Sequence, residues 1–206
     1  MSRIPAPRAP RSPSRLAPVL VMVLAAGFAG IATAQNADLA LDQLMTDLKV
    51  RPHRHDRFTE RFTTAVLDRP LEASGELFYD APDHLEKRTL LPRVERLVLE
   101  GRALAIERRH RTYRTTLDEY PELAPYIESI RATLAGDRAA LEGVFKLEYT
   151  SKGDAWSLTL SPLAPGLAAQ VARIVIEGVR ADVRSVVIDR ANGDRSAMTL
   201  TGAVAP

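Results

Sequence analysis

The chain has 206 residues, 46% of them hydrophobic and 26% charged, with no cysteine and a formal charge of +2. Lacking cysteine, it can form no disulfide, thiol nucleophile, thiolate-built zinc site or lipid-modified cysteine at the end of a leader. Four arginines and no acid fall in residues 1–34, so residues 35–206 carry a formal charge of −2. The strong basic excess of a nucleic-acid binder is absent from that part, and no nucleic-acid partner is expected.

Residues 1–34 have the layout of a secretory signal peptide. Arg3, Arg8, Arg11 and Arg15 form a basic start, Val19 to Phe28 an apolar core, and Ala32-Thr33-Ala34 a small-x-small site that predicts cleavage before Gln35. Export to the periplasm is the expectation, with 35–206 as a single domain.

In residues 38–50, Leu41, Leu44, Met45 and Leu48 recur at helical spacing, with Asp38 as N-cap and Pro52 as the stop. From Phe58 the period changes to two, and Phe62 continues it. Strands are predicted near 72–80, 84–90, 93–100, 102–109 and 111–117. Leu97 and Leu99, then Leu104 and Ile106, alternate with more polar or smaller neighbours, as in antiparallel strands with one dry face. Connections this short permit hairpins, so the sheet should be a meander. The stretch from Tyr120 to Ala135 interrupts it with Leu123, Tyr126, Ile127, Ile130 and Leu134 on one helical face, Gly136 as C-terminal cap and a short helix at 137–141. That face serves either as permanent core or as a movable lid. The meander then resumes through Phe145 to Tyr149, the Lys152-Gly153-Asp154 turn, and the alternating Trp156, Leu158 and Leu160. A pair at 171–178 and 182–190 follows, then an Asn192-Gly193 turn into 195–202.

The fold class expected is mainly β with helices: a curled antiparallel sheet of about ten strands, an N-terminal helix and a mid-chain helix. Twist prevents so wide a sheet from staying flat, so it should roll into an unclosed barrel plugged by the mid-chain helix.

Catalytic patterns are missing. There is no G-x-S-x-G elbow and no H-E-x-x-H. His53-Arg54-His55 puts two imidazoles on one strand face, but no third ligand is apparent and arginines flank the pair. No enzymatic activity, metal or cofactor is expected. The basic run Arg108 to Arg111, with Arg114, reads as a solvated hairpin or as a contact for anionic headgroups or an acidic partner.

Phe58-x3-Phe62, Gly75-x-Leu77-x-Tyr79-x-Ala81-Pro82-x2-Leu85, Pro92, Leu99-Glu100-Gly101-x2-Leu104, Trp156-x-Leu158-x-Leu160-x-Pro162 and Asn192-Gly193-Asp194 occur in an order that resembles a divergent branch of the LolA family, over roughly 40–202. Members of that family carry outer-membrane lipoproteins across the periplasm. The resemblance implies an unclosed barrel with a helical lid over a cavity for acyl chains. It also implies an acylated lipoprotein or lipid as cargo, an inner-membrane donor, an outer-membrane acceptor and a monomeric carrier. Alternation then offers Phe62, Leu77, Leu85, Leu97, Leu99, Leu104, Ile106, Trp156, Leu158 and Leu160 as cavity wall, and Leu123, Tyr126, Ile127, Ile130 and Leu134 as lid. Better-known members have a basic residue just before the proline matching Pro82, and its side chain holds the lid; here that position is Ala81. The second reading is a LolA-like envelope sensor or scaffold that binds a protein, with its centre packed.

Overall fold

The computed structural model describes residues 28–121 and 124–202, with side chains from residue 37 onward. Helix α1 spans Phe28–Lys49. Eleven strands follow: β1 His53–Thr63, β2 Leu71–Asp80, β3 His84–Leu91, β4 Glu95–Glu100, β5 Ala103–Arg108, β6 Arg111–Thr116, β7 Phe145–Lys152, β8 Ala155–Pro162, β9 Val171–Val179, β10 Asp182–Arg190 and β11 Arg195–Thr201. A single 3-10 turn at Leu117–Glu119 and helices α2 (Ala124–Ala135) and α3 (Arg138–Glu142) lie between β6 and β7, and a short α4 (Pro165–Ala168) between β8 and β9.

All eleven strands form one antiparallel sheet in the order β6-β5-β4-β3-β2-β1-β11-β10-β9-β8-β7. The meander therefore begins at its own centre. One half runs outward from β1 to β6, the other returns inward from β7, and the two meet where β11 pairs with β1, Phe58 opposite Leu200 and Phe62 opposite Ser196. The outermost strands, β6 and β7, are not neighbours in the sheet. The barrel is thus unclosed, and helices α2 and α3 are inserted in the chain between its two edge strands.

Alternation gives the sheet one continuous inner face. Glu60 faces Met198 across β1 and β11, Lys87 faces Leu97 across β3 and β4, and Leu158 faces Ile176 across β8 and β9. Helix α1 covers part of this face with Leu41, Leu44, Met45 and Leu48, all buried and three or four residues apart. Buried Leu99, Leu104, Leu158, Leu160 and Ile174 complete the core.

Several boundaries differ from those read in the sequence. The first helix starts at Phe28, so Asp38 lies inside it instead of capping it. Among the described residues there are eleven strands where about ten were expected, and β1 starts at His53, five residues before Phe58. Within the stretch from Tyr120 to Ala135, the mid-chain helix begins at Ala124, with Pro125 in its first turn. Its predicted end is correct. Gly136 adopts φ +64, its N–H donates to the Thr133 carbonyl, and the Asp137 N–H donates to Ala132. Asp137 then caps α3 by accepting from the Ala140 N–H at 3.0 Å.

Two local arrangements fix the sheet. Trp156 lies across Gly178, its register partner, and its indole Nε1 donates to the Arg180 carbonyl at 2.7 Å. A Cβ on Gly178 would meet Trp156 Cζ2 at 2.3 Å and the Asp182 carbonyl oxygen at 2.4 Å. On the outer face, buried Glu86 accepts from Arg96 at 2.7 and 2.9 Å and from Arg88. Hydrogen bonds from Arg96, opposed by burial and reinforced by Arg88, hold its carboxyl down from 4.5 to about 2.

Gly178→Ala is expected to destabilise the protein by about 1–3 kcal/mol in urea unfolding, because the indole cannot be displaced without overpacking; an unchanged midpoint would contradict this. Because the Glu86 pKa is depressed in the folded state, its stabilisation is full above pH 4.5 and is lost as pH falls toward about 2. Wild type should lose about 3 kcal/mol over that window relative to Glu86→Gln. Parallel pH profiles of the two proteins would show that Glu86 is not the group responsible.

Candidate functional site

A hollow of about 260 Å³ lies between the inner face of the sheet and α2. Its floor comes from the strands on both sides of the central pairing. Phe62 of β1, Leu77 of β2, Leu85 of β3 and Leu97 of β4 contribute from one half. Ile176 of β9, Val183, Val186 and Ile188 of β10, and Met198 and Leu200 of β11 contribute from the other. Tyr126, Ile127, Ile130 and Leu134 of α2 form the roof, and Leu123 lies outside the described residues.

The other predicted wall positions fall elsewhere. Leu99, Leu104, Leu158 and Leu160 are at most 1% exposed and belong to the packed core, and Trp156 is buried over Gly178. Ile106 is half-buried against the same core. These side chains face inward, as the alternation required, but there the inner face is filled by protein. The lining residues absent from the sequence reading lie on β9–β11, which join β1 through β11, and in the polar set Glu60, Lys87, Thr133, Arg190 and Ser196. The alternation of Val186, Ile188, Met198 and Leu200 was a usable signal for the first group. For the second there was none, because a charge in a strand normally marks the wet face.

The polar set is organised. Glu60 accepts from Lys87 Nζ at 2.5 Å and from the Ser196 hydroxyl at 2.6 Å, so each carboxylate oxygen has a partner. Burial alone would raise the Glu60 pKa, but the charge and hydrogen bond of Lys87, helped by Ser196, bring it below the usual carboxylate value. Lys87 also stands 4.9 Å from the centroid of the Phe58 ring. The Thr133 hydroxyl donates back to the Ser129 carbonyl within α2. The Arg190 guanidinium lies over the Tyr126 ring of the roof, 5.5 Å from its centroid.

Helix α2 is tied to the sheet by polar contacts away from the hollow. Arg131 Nη1 donates to the Gly101 carbonyl, in the β4–β5 turn, at 2.6 Å. Arg102 of the same turn pairs with Glu128 at 2.6 Å and with Asp118. The arginine that grips a backbone carbonyl thus sits on the helix, and the sheet offers the turn, while Ala81 leaves the position before Pro82 without a charged side chain. At its C-terminal end α2 abuts α1: a Cβ on Gly136 would meet the Met45 carbonyl oxygen at 2.1 Å. Arg138, just beyond, pairs with Asp38, Asp42 and Glu142 at 2.8–2.9 Å and at 2.7 Å respectively, joining α3 to α1.

The remaining sequence motifs settle into ordinary surroundings. His53 faces Asp80 at 2.6 Å and His55 stacks on Phe78 with ring centroids 4.1 Å apart. Among the described residues, no group of three His, Cys, Asp or Glu is placed to hold a metal ion. Arg109 and His110 form the β5–β6 turn, both at positive φ, and Arg108 faces Glu95 at 3.8 Å.

An open antiparallel barrel with a helix roofing an apolar hollow defines a class of binding proteins. A family model described as outer membrane lipoprotein carrier protein LolA-like matches residues 29–206, and the chain belongs to that family. Among solved structures, the chain is similar to a LolA superfamily protein from Nitrosomonas europaea (10% identity, 82% of this chain and 94% of that one, TM-score 0.45). It is also similar to the lipoprotein LppX of Mycobacterium tuberculosis (11% identity, 80% and 94%, TM-score 0.44). A third is the MucA/MucB complex of Pseudomonas aeruginosa (13% identity, TM-score 0.43), where 81% of this chain covers 58% of that one. Comparison with curated proteins found no match.

Arg131→Ala removes a charge-assisted hydrogen bond of ~1.5–3 kcal/mol. Amide exchange should then accelerate by about tenfold or more over 124–135, with β9 and β10 unchanged. Equal acceleration throughout the sheet would show that Arg131 supports the whole fold and does not hold α2 specifically.

Proposed function

We propose that the protein is a periplasmic carrier that shields an acyl chain of a lipoprotein or another lipid on its way from an inner-membrane donor to an outer-membrane acceptor. The observation that carries this reading is the roofed apolar hollow. A module serving only to bind a protein partner has no need of unfilled volume, and its centre would be packed. Family membership supports a carrier, and the leader-like residues 1–34 support export. Cleavage before Gln35 would shorten α1 by its first turns and leave its buried stripe at Leu41–Leu48 intact.

The physical task is solvation. Each exposed CH2 costs about 0.8 kcal/mol, so a chain of about fifteen carbons costs on the order of 10 kcal/mol in water. Carriage therefore needs a dry container and no covalent step. Phe62, Leu77, Leu85 and Leu97 would form one wall, with Val186, Ile188, Met198 and Leu200 opposite and Tyr126, Ile127, Ile130 and Leu134 as lid. At about 260 Å³ the hollow lies just below the ~300–1,000 Å³ of ordinary ligand sites, so with α2 in this position it admits one slender chain. Bulkier cargo requires α2 to move outward. Its polar ties to the sheet suit that: those of Arg131 and Glu128 lie outside the hollow, at the β4–β5 turn, so they can break without disturbing the sheet.

Gently purified protein is expected to show acyl-mass adducts by native mass spectrometry, and stripped protein to take up the neutral fluorophore N-phenylnaphthylamine. Ile188→Phe and Met198→Phe, each placing a ring in the hollow, should weaken uptake by about tenfold, in line with ~1–3 kcal/mol for overpacking a wall. Uptake that is absent in wild type, or unaffected by both variants with melting temperature retained, would reject the carrier.

A further inference from the structure

The hollow is not electrically neutral. Of its charged lining residues, Glu60 is balanced by Lys87, and both Glu60 oxygens are occupied. Arg190 is left as one excess positive charge. It ends β10, is half-buried, and among the described residues makes no ion pair with a carboxylate. The neighbouring acid that feels it, Asp194, is held down mainly by hydrogen bonds from Thr64 and Asn192, with Arg190 the smallest contribution. The guanidinium instead lies over the roof ring of Tyr126. A cation at the edge of an apolar chamber, with its hydrogen-bonding edge uncommitted to any acid, is placed for an anion whose tail occupies the chamber. Its planar fork matches the two oxygens of a carboxylate or phosphate.

We infer that the hollow selects single-chain amphiphiles with an anionic carboxylate or phosphate head, and that Arg190 is the headgroup contact. This rests on the carrier reading and adds the chemical class of cargo to it. One chain follows from the volume with α2 in its observed position, and the negative head follows from the unbalanced charge. Lys87 is not available for the role because it is already committed to Glu60. An anion bound by Arg190 would also lie beside Tyr126, so headgroup occupancy and the position of α2 would be felt by the same side chain.

The test uses a ladder of probes with one tail: dodecanoate, dodecyl phosphate, dodecanol and dodecyltrimethylammonium, titrated into full-length processed protein by calorimetry. Wild type should bind at least one of the two anions about tenfold or more tighter than dodecanol, and the cation more weakly than dodecanol. The tighter of the two anions identifies the head as carboxylate or phosphate. Within each variant, Arg190→Gln should abolish the preference of the anions over dodecanol, and Arg190→Lys should retain part of it. Equal binding of anions and dodecanol by wild type overturns the inference while leaving the carrier intact. Failure of every probe to bind overturns both. The wild-type ladder decides the question even if a variant does not fold.

Discussion

An apolar helix face laid over unfilled volume is the constraint on which the rest of the molecule depends. In a packed core, Tyr126, Ile127, Ile130 and Leu134 would meet side chains from the opposite layer and lock in place. Here they meet a hollow framed by Val186, Ile188 and Met198, and α2 forgoes part of the contact energy a helix of its length would otherwise gain. What keeps it in place is distributed around its margin: Arg131 on the Gly101 carbonyl, Glu128 on Arg102, and the close approach of Gly136 to α1. The helix therefore combines polar ties at its edges with a buried face that lies partly over the hollow.

The topology makes this possible. Because the meander starts at its centre, the two edge strands are the last of one half and the first of the other, and the segment joining them must cross the open side. The helical crossover there roofs the hollow. The other helix, α1, does the opposite job. Its Leu41, Leu44, Met45 and Leu48 are buried, and together with buried Leu99, Leu104, Leu158 and Leu160 they make a conventional core at one side of the hollow. One sheet face thus supports both a rigid part and a vacant part, and the stability of the first allows the second.

Much of this was legible in the sequence. Period-two alternation located the strands, and Gly136 with Asp137 marked the end of the mid-chain helix and the start of the next. The chain's twist-driven rolling and the interrupted meander gave the unclosed barrel. What alternation cannot convey is where along an inward-facing strand the space is filled. Leu158 and Leu85 look alike in sequence, yet one is core and the other lines the hollow, because only the placement of α1 and α2 separates them. The inward-facing Glu60, Lys87 and Arg190 were illegible for a related reason. A charge on a strand is ordinarily exposed, and only the register, across β1 to β4 for Glu60 and Lys87 and along β10 for Arg190, shows that these follow the inward phase. Asp38 was misread because the helical stripe from Leu41 gives no sign that the backbone is already helical ten residues earlier.

The most direct measurement of the central claim is where an alkyl chain rests. Methyl spectra of the protein with a fatty acid bearing a nitroxide near its tail would report this through paramagnetic broadening. The expected result is selective loss of the Met198, Ile188, Ile176 and Ile130 methyl signals, with those of the exposed Val66, Leu91 and Val94 retained. Broadening confined to those exposed positions, or no broadening at any methyl, would mean that the hollow is not a site for acyl chains.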